Sequence, residues 1–171
     1  KGRILTDNIL HINGTTVNEG TLYGKNKISL QGLTNSGSVQ STGEITAKNV
    51  VNTGKIIGEG NITVLDLDNQ NELVTNKILT TNNLVNTGIL NTGEGISSNG
   101  NVVNHGELKT NGSFLILGNL NNYNLLNVGG SLNTRDLINH GSLKAVDKLL
   151  ARGLTFYNQG EILTTNLDAD N

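Results

Sequence analysis

One motif, Asn-x-Gly followed by a polar residue and then an aliphatic one, recurs along the whole chain, and a repeat of fixed period limits a fold more than any single residue can. It reads Asn18-Glu19-Gly20, Asn35-Ser36-Gly37, Asn52-Thr53-Gly54, Asn86-Thr87-Gly88, Asn104-His105-Gly106, Asn139-His140-Gly141 and Asn158-Gln159-Gly160. Two further copies, Asn69-Gln70-Asn71 and Asn122-Tyr123-Asn124, carry Asn in place of Gly. Subtracting successive leading positions gives steps of 17, 17, 17, 17, 18, 18, 17 and 19 residues. Aliphatic columns keep the step: Leu33, Val50, Leu67 and Leu84 stand two residues before the motif, and Leu22, Val39, Ile56 and Leu73 two residues after it. A second glycine column, Gly43, Gly60, Gly95, Gly112 and Gly130, precedes short alternating segments such as Ile62-Thr63-Val64.

Two-residue alternation is the period of a strand, and a repeat this short has no room for a helix beside a strand. The spacing predicts an all-β chain: a right-handed parallel β-helix, three-sided, with 17–18 residues per coil and about ten coils. At the usual inter-strand distance such a rod is about 45–50 Å long. Residues 1–171 read as a single β-helix, a fragment of a longer repeat array uncapped at both ends. Lys1-Gly2-Arg3-Ile4 aligns on Glu19-Gly20-Thr21-Leu22, so the chain starts inside a motif, and Leu167-Asp168-Ala169-Asp170-Asn171 stops partway through a coil.

The motif residues read as structural. Stacked asparagines can bond amide to amide from coil to coil, so Asn18, Asn35, Asn52, Asn69, Asn86, Asn104, Asn122, Asn139 and Asn158 are expected to form one ladder. Gly20, Gly37, Gly54, Gly88, Gly106, Gly141 and Gly160 are expected to be turn residues. Asn71 and Asn124 replace Gly at that position, and Asn tolerates the left-handed region better than most residues, so the third position is predicted to be left-handed.

Composition narrows function. Net charge is −2, which argues against nucleic acid, whose binding needs a dense basic face. The apolar runs are too short to span a bilayer. With no Cys there are no disulfides or thiolate metal sites, and no cofactor is expected. Aromatics are 3% of the chain, so the core must be built from Leu, Ile and Val.

The Asn-x-Gly-x-Ile/Leu motif, with its following Gly-x-Ile/Leu strands, resembles the haemagglutinin repeats of filamentous haemagglutinin and of contact-dependent inhibition exoproteins, over essentially the whole chain. The resemblance implies a secreted two-partner-secretion protein on the bacterial outer surface, with an outer-membrane transporter as its partner during export. It implies a structural filament or stalk that presents a distal tip to a host or neighbouring bacterial cell, without catalytic residues.

Other chemistries are weaker. Asp66 and Asp68 flank inward Leu67 and should both point outward, as a polysaccharide-degrading β-helix or a Ca²⁺ site would require, but neighbouring coils add no further carboxylates. Asp168 and Asp170 are a lesser pair. His105, Tyr123 and His140 occupy the exposed middle position in three successive coils and form a candidate surface patch for direct receptor or glycan binding. The two histidines, two coils apart, cannot share a metal. Lys144, Lys148 and Arg152 form a sparse basic cluster, read as a solvated face. The sequons at Asn13, Asn61 and Asn111 carry no information in so Asn- and Thr-rich a chain.

Overall fold

The computed structural model describes residues 2–169. It is a parallel β-solenoid of about ten turns whose strands all belong to one sheet. One mid-chain turn consists of the strands Ile89–Thr92, Gly95–Ser98 and Val102–Asn104, which form a first, second and third face. The next turn, Glu107–Thr110, Ser113–Ile116 and Leu120–Asn122, lies over it in parallel register. Toward the N-terminal end the second and third faces merge into longer strands such as Lys27–Asn35, and toward the C-terminal end the first and second faces do, as in Ser142–Ala151. The alignment of the chain's start is met from Gly2 onward: Arg3 pairs with Thr21 and Ile4 with Leu22. Lys1, Asp170 and Asn171 lie outside the described residues.

Each face sends two residues inward per turn, a large aliphatic and then a corner residue. The aliphatics form three columns, running Leu22 to Leu143, Ile28 to Leu149 and Leu33 to Leu137, all 0–5% exposed. Among the described residues Phe114 is the one fully buried aromatic, and Phe156 packs partly buried against the core. Burying a side chain of this size contributes about 1.5–3 kcal/mol, so the repeat gains stability by many equal increments rather than from a few large residues. The longer coils take their extra residues at the corner between second and third faces. Thr81 and Leu84 pair with Ser98 and Val102, so one residue is added within 99–101. Thr134 and Leu137 pair with Ala151 and Phe156, so two are added within 152–155.

Two sequence expectations are corrected. No described residue, glycine or otherwise, has a positive φ, so the third motif position is not left-handed. Glycine is there because backbones stack closely. A Cβ on Gly37, Gly54, Gly88, Gly106 or Gly141 would lie 2.1–2.2 Å from the carbonyl oxygen of the residue one coil earlier. Asn71 and Asn124 are accommodated by loosening that contact. The bond from the following N–H to the carbonyl below is 2.8 Å at Ser38–Gly20 and 2.9 Å at Lys55–Gly37, but 3.2 Å at Glu72–Gly54 and 3.3 Å at Leu125–Gly106. The second correction concerns Gly95. It pairs with Ser113, whereas the carbonyl of Glu94 faces Gly112, so Gly95 lies one residue beyond the column of Gly43, Gly60, Gly112 and Gly130.

Candidate functional site

The third face ends each turn at the motif asparagine, whose side chain turns into the corner. Asn35 to Asn139 are fully buried, Asn18 nearly so, and Asn158 is exposed. Their amides form one unbroken chain: Asn18 Nδ2 donates to Asn35 Oδ1 at 2.7 Å, Asn35 to Asn52 at 2.8 Å, and so on to Asn139, which donates to Asn158 at 2.8 Å. Every donor points to the following coil. The same nitrogen also reaches backbone carbonyls, as Asn86 does at Gly88 (3.2 Å) and Glu107 (3.0 Å). Buried polar groups persist only when bonded, and aligned amides polarise one another. This column can hold register; its amides carry no reactive group.

A second Asx column was not anticipated. Asn49, Asp66, Asn83, Asn101, Asn119 and Asp136 each stand three residues before a ladder asparagine. Asn83 Oδ1 accepts from Asn101 N at 3.1 Å, Asn101 Oδ1 from Asn119 N at 3.0 Å, and Asp136 Oδ1 from Thr155 N at 2.9 Å. The same 17–18 residue step that marks the motif was the signal for it.

Asp66 belongs to this column, which decides the reading of the carboxylate pair. Its Oδ1 accepts from Asn83 Nδ2 at 2.8 Å, and Asp68 Oδ2 accepts from Gln70 Nε2 at 2.7 Å. Their neighbours in adjacent coils are Asn49 and Asn83, Val51 and Val85. Among the described residues no group of three or more His, Cys, Asp or Glu side chains is placed to hold a metal. Asp168 is paired with Lys148 at 2.8 Å; the hydrogen bond and charge of Lys148, with Arg152 adding to them, hold its carboxyl below the usual range.

The middle motif positions do come together. His105 and Tyr123 stack at 4.4 Å between ring centroids, nearly parallel, and Tyr123 and His140 at 5.1 Å. Tyr157, from the third face, meets His140 edge-on at 5.7 Å, and His140 Nδ1 is 2.8 Å from Gln159 Oε1. The rings stack face to face, and His105, Tyr123 and His140 are all exposed.

The basic cluster does not hold together. Lys144 lies on the first face, Lys148 on the second, and Arg152 at the following corner. Arg152 and Arg135 border a depression of about 330 Å³ floored by Leu115, Leu117 and Leu150. Among the described residues no helix is long and apolar enough to cross a membrane. No family model, no curated protein and no solved structure matches the chain.

Proposed function

We propose that this chain is a stalk segment of a large secreted bacterial surface protein, an adhesin or contact-dependent inhibition exoprotein, exported by a two-partner-secretion transporter. The observation that carries the reading is the uninterrupted rod. Turn follows turn in register, and the longest departure is the two-residue addition within 152–155. Sites on solenoids are usually built from inserted loops, and a rod without them is suited to distance and stiffness. The resemblance of the Asn-x-Gly repeat to haemagglutinin repeats supports the placement at the cell surface. The mechanism is mechanical: the filament carries a functional tip elsewhere in the parent protein away from the cell.

A second reading, that the rod face itself binds a receptor or glycan, is favoured by one observation, the exposed His105–Tyr123–His140 stack. One experiment separates the two. Labelled protein is titrated onto host and bacterial cells beside a triple His105→Ser, Tyr123→Ser, His140→Ser variant. The stalk reading expects no saturable binding by either. Saturable binding that the triple variant loses would replace the stalk by a recognition surface.

A further inference from the structure

We infer that Asn13–Gly14 is a self-modification site, at which the asparagine amide is exchanged for a carboxylate with water as co-reactant. Asparagine is followed by glycine at Asn13, Asn99 and Asn111. Glycine has no Cβ to shield its amide nitrogen, which can attack the preceding side-chain carbonyl carbon once the peptide plane between the two residues turns. The coil stack decides which plane can turn. Asn99 N donates to Thr81 O at 2.9 Å and Gly100 N to Asn82 O at 2.7 Å, while Gly100 O accepts from Gly118 N at 3.2 Å. Asn111 N donates to Thr92 O at 3.1 Å and Gly112 N to Thr110 Oγ1 at 3.3 Å, while Gly112 O accepts from Gly130 N at 3.1 Å. A Cβ on either glycine would run into the coil before it, at Asn83 Oδ1 or Glu94 O. These two planes are held from both sides and turn only when coils part.

Asn13–Gly14 lies inside the strand Ile9–Asn18, yet the register to the next coil shifts there. Ile12 pairs with Leu30 and Thr15 with Gly32, so Asn13 and Gly14 stand against the single residue Gln31. Two residues against one make a bulge, in which the extra residue is unpaired and the ladder disrupted. Both residues are exposed, so water reaches them. The step balances with water alone. Gly14 N gives its proton to solvent and bonds to Asn13 Cγ, and the bond from Cγ to Nδ2 breaks, releasing ammonia. Water then adds to one carbonyl of the cyclic imide and opens the ring. Opening on one side leaves aspartate; opening on the other leaves isoaspartate, with the backbone routed through Cβ. Either product adds one negative charge, taking the net charge from −2 to −3. A bulge already carries an extra residue, so the longer backbone of isoaspartate is taken up there without parting the coils. The inference does not depend on the stalk reading.

The test is to incubate the whole chain at mildly alkaline pH, folded and in denaturant, and to follow the three asparagines by peptide mapping with mass spectrometry. In the folded chain Asn13 should convert faster than Asn99 and Asn111 by about tenfold or more, because those two must wait for local opening of the stack. In denaturant the three should converge. The Asn13 product should contain both aspartate and isoaspartate. Gly14→Ala meets nothing within 4 Å and needs no positive φ, so it should leave the fold intact and slow conversion by hindering the attacking nitrogen. An intact Asn13 in the folded chain, or Asn99 or Asn111 keeping pace with it, would overturn the site. A product without isoaspartate, or an unchanged rate in Gly14→Ala, would overturn the imide route.

Discussion

At the third motif position the difference between Gly and Ala is one methyl group, and the stacked backbone leaves no room for it. A Cβ on Gly88 would sit 2.1 Å from Asn71 O, while one on Gly32 would meet nothing closer than 3.8 Å. Gly88→Ala should therefore cost about 1–3 kcal/mol, as overpacking does. Gly32→Ala should be neutral or stabilise by about 0.4–1 kcal/mol through the unfolded chain. Denaturant midpoints of the two variants check this, and equal losses would return the motif glycines to a conformational explanation. The sequence placed these glycines at turns but assigned them the wrong physics. Asn at positions 71 and 124 suggests positive φ when only the single chain is considered; the steric partner lies a full coil away, where no local signal reaches.

At the scale of the strand, legibility follows what repeats. The inward aliphatic columns and the leading asparagines could be read directly, because a 17-residue step leaves a parallel stack as the way to bury them. The Asx column three residues ahead of the motif was equally periodic but hidden among so many asparagines. The displaced Gly93–Gly95 pair and the aromatic stack needed three-dimensional register to be seen. Core packing within these strands is tight, so Phe114→Ala should cost about 3–5 kcal/mol, read from equilibrium unfolding. On the last turn, Asp168 is depressed by Lys148, so their pairing supports the native state above the ordinary carboxylate range and is lost as pH falls through the depressed value. Lys148→Met should return the Asp168 titration, followed by NMR, toward the usual range; an unmoved curve would deny Lys148 that role.

For the whole molecule, a stack in which each coil touches only its neighbours should tolerate loss of one complete unit. Deleting residues 87–104, the 18 residues that close one motif step, joins Asn86 to His105 and keeps every column aligned. That shortened rod should fold and melt cooperatively. Deleting residues 87–95 should not give a folded rod, because half a turn sets aliphatics against corners and strands the ladder amides; circular dichroism melts of the two deletions distinguish these outcomes. The proposed function follows from the same economy, with the repeat spent on length and stiffness and its asparagines on register.

That last point is tested most directly by comparing Asn86→Ala with Asn82→Ala in equilibrium unfolding. Asn86 is fully buried and donates at 2.9 Å to Asn104 Oδ1, whereas the Asn82 side chain lies at the surface and accepts a long 3.4 Å bond from Asn99. Removing Asn86 leaves Asn104 Oδ1 buried without its donor, a loss of about 1–3 kcal/mol, while Asn82→Ala should stay within about 0.5 kcal/mol. A clear gap in that order is the predicted result. Equal effects would contradict the claim that the amide column holds the coils in register.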